Sequence, residues 1–258
     1  MPYFKDDSDK LPGKDQAIWR FLDLAKFIDI LVRKELWFAC VEELVRDDPF
    51  EGAFPTAHAE AFEAAWLARS IEEGQMMVDT KGLAARAAEI CQASRKSVYV
   101  NCWHASNYES AAMWSQYVRQ DGLAIKSTVG RLIESFAEAA HQVEISEITY
   151  IDYETHGPHW VHTYLYKRKS FEHEKELRAF VYESSLFNKF ANPVLHLLPD
   201  PEYAKGIRVN VSPKVLIEEV RLAPTSQSFL DGVVKDVLAK YGLETVPVKK
   251  SAISEMPK

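Results

Sequence analysis

Thiols are scarce in this chain of 258 residues, which has only Cys40, Cys91 and Cys102. An odd number of cysteines without a Cys-x-x-Cys spacing is not a disulfide framework, and it fits a reducing compartment. Long hydrophobic runs are also missing. No window approaches 18 consecutive apolar residues, so no membrane-spanning helix is expected. The N-terminus lacks the apolar core of a signal peptide, and the expected location is the cytoplasm. Gly-x-Gly-x-x-Gly, the P-loop and Gly-x-Ser-x-Gly do not occur, which removes the familiar dinucleotide, NTPase and hydrolase signatures. Positive charge is not in excess either. The formal net charge of -7 argues against a broad nucleic-acid surface, though not against a local basic patch.

What is present is the composition of an ordinary globular domain, 47% hydrophobic and 27% charged. No repeat, low-complexity tract or long linker divides it. Residues 1–16 read as a loose charged arm. Residues 17–22 read as a strand, Asp23 as the cap of a helix carrying Leu24, Phe27, Ile28 and Leu31, and residues 36–39 as a second strand. Pro49 and Gly52 mark a tight turn whose acids could cap backbone amides. A helical insertion covers residues 56–95. Strands follow at 98–104, 123–127, 148–151, 176–182, 207–211, 217–222 and 244–248. Helices are expected after Ser106 or Asn107, from Thr128 to Ala140, before residue 166, and from Ser226 to Tyr241. The alternation predicts one α+β domain over residues 17–253, with a central mixed or antiparallel sheet and flanking helices.

The most informative stretch runs from Tyr166 to Tyr182. Basic Lys167, Arg168 and Lys169 lead into acidic Glu172, Glu174 and Glu176, and then into Arg178. If residues 176–182 form a strand, Leu177, Ala179 and Val181 share one face, and Glu176, Arg178, Phe180 and Tyr182 share the other. Two carboxylates and a guanidinium would then line up at the mouth of a sheet. The competing reading is a solvated charged turn before a strand.

A second candidate covers residues 102–117, a strand end, a turn and a helix start, where free backbone amides meet ligands. It supplies His104, Glu109, Ser110 and Tyr117. Glu109 in a first helical turn is also favoured by the helix dipole alone, and Trp103, Met113 and Trp114 read as core. A Cys102–His104 nucleophile pair lacks an orienting partner. His156, His159 and His162 lack the companions of a zinc site, and no metal site is expected. With Arg20, Asp48 and Glu51, the remaining candidates fall at strand ends and turns, as in a site assembled by folding.

These pieces together resemble the bacterial domain-of-unknown-function family numbered 2971. The likeness rests on Trp19, Arg20 and Phe21; Leu36–Ala39; Asp48–Gly52; Cys102, Trp103 and His104 with Glu109; Ala112, Met113, Trp114 and Tyr117; Gly122–Lys126; Lys167, Arg168, Phe171, Glu174, Glu176 and Arg178; and Ile217–Pro224. It covers about residues 17–253. A more remote likeness is to ADP-ribosyltransferases, which carry an early Arg or His and a late Glu-x-Glu. That resemblance implies NAD as substrate, Arg20 on the pyrophosphate, Glu176 as the catalytic carboxylate and Glu174 positioning the acceptor, with His104 or Tyr117 lining the nicotinamide pocket. Glu109 and Arg178 are further candidates on the cofactor side. It also implies a bacterial defence or toxin role, with a protein or nucleic acid as acceptor.

Two other classes stay open. One is a non-enzymatic regulatory or interaction module, in which the charges are buried salt bridges such as Arg178 with Glu51 or Glu109. The other is a metal-dependent nuclease using Asp48, Glu51, Glu109, Glu174 and Glu176 around Mg²⁺, with the basic cluster on phosphate.

Overall fold

The computed structural model describes residues 11–54, 63–64, 67–68, 71, 82–118, 121–155, 162–185 and 203–254. The chain forms an α+β domain around a nine-stranded sheet. Strand β1 (Ala17–Asp23) runs into helix α1 (Leu24–Arg33). Asp23 caps that helix by accepting from the Lys26 amide at 2.8 Å, which satisfies one of its orphan donors. Phe27, Ile30 and Leu31 give α1 its buried face. Lys34, in the left-handed region, ends it and leads to β2 (Glu35–Cys40). A short helix α2 (Val41–Leu44) precedes the turn, where Asp48 Oδ1 accepts from the Phe50 amide at 3.1 Å.

Most of the expected helical insertion lies outside the described residues. Helix α3 (Leu83–Ser97) closes it and enters β3 (Val98–Ala105). Next come α4 (Ala111–Tyr117), β4 (Gly122–Thr128) and α5 (Val129–Ser135). Beyond them lie β5 (Glu144–Glu147), β6 (Thr149–Ile151), β7 (Tyr166–Arg168) and β8 (Glu176–Tyr182). The chain continues through β9 (Gly206–Asn210), α6 (Pro213–Leu216), β10 (Glu219–Leu222), α7 (Leu230–Lys240) and β11 (Val248–Lys250).

The topology has one unusual junction, at β3. Strand β8 pairs with β3 along its whole length, from Val98↔Tyr182 to His104↔Glu176, and β5 lies beyond β8. The opposite edge of β3 is shared. Near its end it pairs with β1 through Ile18↔Ala105 and Trp19↔His104, and near its start with β2 through Ala39↔Val100 and Cys40↔Tyr99. Residues 101–103 therefore have no strand partner on that edge among the described residues. The sheet splits there into a wing β1–β4–β10–β11 and a wing β2–β9. All of its pairings are antiparallel except β10 with β11. Strands β6 and β7 form a separate parallel pair.

The main core lies on one face of this sheet. Ile18 and Leu22 of β1, Tyr99 and Trp103 of β3, and Leu177, Ala179 and Val181 of β8 pack there with α1 and α7. The alternation expected for residues 176–182 holds, because Phe180 belongs to a separate cluster with Val98, Val100, Tyr164 and Leu165.

Several expected elements differ. Helix α5 stops at Ser135 rather than Ala140, because the Ser135 carbonyl accepts from the Ser212 amide at 2.9 Å and not from the next helical turn. Where a helix is expected just before β7, the described residues form a 3₁₀ turn, Thr163–Leu165, and residues 156–161 lie outside them. Tight turns at Ser226 and Leu230 delay α7 to Leu230. The last strand starts at Val248, not 244, after Pro247, which has no amide to give to the ladder. His162 bonds the Tyr164 hydroxyl through Nδ1 at 2.9 Å; His156 and His159 lie outside the described residues.

Candidate functional site

The split in the sheet opens a cleft of about 590 Å³, within the usual range of small-molecule sites. Arg20, His104, Tyr117, Glu174 and Glu176 all line it, together with Cys102 and the aromatic rings of Trp19, Phe21, Trp37 and Trp103. Strand alternation explains how they meet. Arg20 shares the core-side face with Ile18 and Leu22, whereas Cys102, His104 and Glu176 stand on the opposite face. The gap between β1 and β2 lets both faces contribute to one wall.

Arg20 crosses this gap. Its Nη1 donates to Asn101 Oδ1 at 3.0 Å and to the Cys102 carbonyl at 2.6 Å. Its Nε and Nη2 have no hydrogen-bond partner among the described residues. Burial lowers its pKa, with the Cys102 thiol and Tyr117 opposing that shift. Asn101 organises the junction. Its Oδ1 also accepts from Trp103 Nε1 at 2.8 Å, and its Nδ2 donates to the Trp37 carbonyl at 2.9 Å. One carboxamide thus ties together the three strands that diverge. Sequence reading missed Asn101, because a lone Asn inside an apolar strand shows its partners only after folding.

On the other wall, the carboxylates form a buried chain of ion pairs. Lys167 Nζ donates to Glu174 and, at 2.8 Å, to Glu176 Oε2. Arg178 Nε reaches Glu176 Oε1 at 2.6 Å, and its Nη1 reaches Glu51 Oε1 at 2.5 Å and the Tyr164 carbonyl at 2.6 Å. Arg178 is fully buried and bonded to Glu176 but does not itself line the cleft, so it does not stand on the cofactor side as expected. Burial alone would raise the Glu176 pKa. Arg178 and Lys167 more than reverse that and hold the carboxyl far below the ordinary carboxylate range. The Lys167 ammonium is penalised by burial, but Glu176 overcomes the penalty and raises its pKa. Glu174 Oε1 accepts from Gln116 at 3.1 Å and from the Tyr117 hydroxyl at 3.4 Å. Burial, then Glu174, pushes the Tyr117 phenol upward. Beside this chain, Arg168 pairs with Asp48 at 2.6 Å.

Glu109 does not join the cleft. It precedes α4 instead of sitting in its first turn, because Ser110 is the cap, accepting from the Met113 amide at 3.3 Å. Its carboxylate is saturated by Arg221 at 2.6 Å, Ser251 Oγ at 2.6 Å, the Ala252 amide at 2.9 Å and Trp114 Nε1 at 3.0 Å. Of the two pairings expected for Arg178, the one with Glu51 forms. Among the described residues no group of three or more His, Cys, Asp or Glu side chains is arranged to hold a metal ion, and no helix is long and apolar enough to cross a membrane.

No family model, curated protein or solved structure matches this chain. The resemblances drawn from the sequence therefore rest on the residues themselves.

Proposed function

We propose that the cleft binds NAD and that the protein is an ADP-ribosyltransferase-like enzyme. One observation carries this reading. The split between β1 and β2 brings Arg20, with unpartnered guanidinium nitrogens, onto the same 590 Å³ cleft as Glu174, Glu176, His104 and Tyr117. The residue types suit the two ends of a dinucleotide. Arg20 offers charge-assisted hydrogen bonds to the pyrophosphate. Trp19, Phe21, Trp37 and Tyr117 offer ring faces and edges to a flat heterocycle. Glu176, held ionised, supplies a fixed negative charge against the oxocarbenium character that develops when the nicotinamide bond breaks. Glu174 and Tyr117 stand beside it to orient the acceptor, whether protein, nucleic acid or water. The resemblance to ADP-ribosyltransferases implies a bacterial defence or toxin role.

The test is NAD consumption by the purified chain, alone and with cell extract. Turnover that drops in Glu176→Gln and in Arg20→Ala supports the reading. A wild type that neither binds nor consumes NAD rules it out.

A second reading, the non-enzymatic module, has its own observation in favour. Both oxygens of Glu176 are already taken by cations, and the same Glu-x-Arg arrangement recurs on β10, where Glu219 bonds Arg221 Nε at 2.9 Å and also Lys249. NAD binding without turnover would favour it. The metal-dependent nuclease has no comparable observation behind it.

A further inference from the structure

His104 is held in a way that fixes which of its nitrogens can act. Nδ1 lies 2.6 Å from the backbone carbonyl of Glu174. A carbonyl oxygen can only accept, so Nδ1 must carry the proton, and Nε2 is left with a lone pair in the neutral ring. Nε2 has no hydrogen-bond partner among the described residues. It is also not among the sealed, unpartnered polar atoms of the interior. Since His104 as a whole is 3% exposed and lines the cleft, this nitrogen opens on the cleft and on little else. The Phe21 ring stands edge-on to the imidazole, 6.2 Å between centroids.

We propose that His104 is the proton acceptor of the cleft, its Nε2 taking the proton from an O–H group of the acceptor substrate. This rests on the NAD-consuming reading given above for the chemistry, but the tautomer does not. The step balances as follows. The acceptor oxygen forms a bond to the ribose carbon as the bond from that carbon to the nicotinamide nitrogen breaks. The electron pair of the broken bond stays on that nitrogen and neutralises the pyridinium. The acceptor's proton moves to Nε2, giving an imidazolium that later returns it to water. Glu176 is the cross-strand neighbour of His104, and it is the charge of Glu174 that favours the imidazolium.

The charged and titratable groups around the ring are His173, Glu174 and Lys175 of the turn before β8, Glu176 on β8, Tyr117 on α4 and Arg20 on β1. Burial lowers the His104 pKa, with the Glu174 carbonyl opposing and Lys175 adding to the effect, which keeps the ring unprotonated near neutral pH.

Two measurements decide the assignment. Imidazole nitrogen chemical shifts of the full chain read the tautomer directly; a proton on Nδ1 is expected, and a proton on Nε2 overturns the proposal. The second is the pH profile of NAD turnover in wild type and in His104→Asn, whose amide reaches the Nδ1 position and keeps the bond to Glu174 but offers nothing at Nε2. The variant should lose about 10²–10⁴-fold in kcat at unchanged NAD Kd, and with it the acid limb of the profile. A variant that keeps both kcat and the acid limb overturns the proposal. A wild type inert towards NAD overturns the NAD reading and the proton transfer with it, whereas an active wild type with the proton on Nε2, or with an unimpaired His104→Asn, overturns the His104 assignment alone.

Discussion

Glu176 Oε1 lies 2.6 Å from Nε of Arg178, its neighbour two residues along the same strand. Because β-strand side chains alternate, i and i+2 share a face, so the strand by itself sets the two groups side by side. Tertiary structure then extends it in both directions, to Lys167 on one side and Glu51 on the other. Strand β10 repeats the plan. Glu219 and Arg221 pair, Lys249 joins Glu219, and Arg221 reaches Glu109 at 2.6 Å. The two chains differ in burial. Lys167 is 10% exposed and Lys249 is 57% exposed, so only the first is sealed at its lysine end.

That difference sets the cost of breaking each chain. Arg178→Met would leave Glu51 and Glu176 buried without their shared cation, and should cost about 3–5 kcal/mol. Arg221→Met leaves Glu219 with its exposed lysine and Glu109 with three uncharged donors, and should cost nearer 1–3 kcal/mol. Urea unfolding of the two variants beside wild type measures both. Equal losses would mean that burial does not separate the two networks.

The pH dependence follows with a definite sign. The folded-state pKa of Glu176 is depressed, so its contribution is present above the unfolded value and is lost as pH falls towards the folded one. Glu219 shifts the same way: burial raises it, but Lys249 and Arg221 prevail. Stability should therefore begin to fall as pH drops through about 6.5, where an unfolded His104 takes the proton that the buried ring resists, and fall further from about pH 4.3 downwards, where unfolded glutamates begin to bind protons. Glu176→Gln should show a shallower acid slope. Denaturant midpoints between pH 7 and pH 2.5 test this, and an unchanged slope in the variant would show that Glu176 is not the group responsible.

Much of this was legible before folding, for local reasons. The Asp23 and Thr128 caps, the strand boundaries at 17, 98 and 176, and the faces of β8 all follow from patterns within a few residues. The placing of Arg20, His104, Tyr117, Glu174 and Glu176 at strand ends and turns points to a shared site. The device that brings them together is not legible in the same way. That β1 and β2 share one edge of β3 depends on register, which no local pattern encodes. Asn101 and Lys167 were under-read for the same reason, since their roles are set by partners far along the chain or on other elements. Glu109 misleads in the sequence, because its position beside a helix start looks like a site while its four donors come from three separate segments.

The β2–β9 wing offers a steric test of the split. A Cβ at Gly206 would stand 2.3 Å from Trp37 Cζ2 and 2.6 Å from the Phe38 carbonyl. The Trp37 side chain is 45% exposed and can turn away, but the backbone oxygen cannot without opening the ladder. Gly206→Ala should cost about 1–3 kcal/mol and raise amide exchange along residues 35–40. Because Trp37 lines the cleft and its carbonyl holds Asn101, NAD affinity should weaken too. A variant as stable as wild type would show that the wing yields easily.

Glu109→Gln separates fold from site. The carboxylate joins the approach to α4 with β10 and the segment at Ser251 and Ala252, accepting four hydrogen bonds. A neutral amide has one accepting oxygen and presents two N–H groups to donors that need an acceptor. At least one of Arg221, Ser251, Ala252 or Trp114 then loses its partner, at a cost of about 1–3 kcal/mol. The C-terminal segment should be cut sooner by a protease, and the urea midpoint should fall. NAD turnover per folded molecule should not change, because Glu109 is absent from the cleft wall while Arg20 and Glu176 are on it. Arg20→Ala should instead lose turnover per folded molecule, with a stability cost of about 1–3 kcal/mol from its two bonds across the gap. If Glu109→Gln abolishes turnover while remaining fully folded, the working site extends beyond the cleft to the outer side of α4.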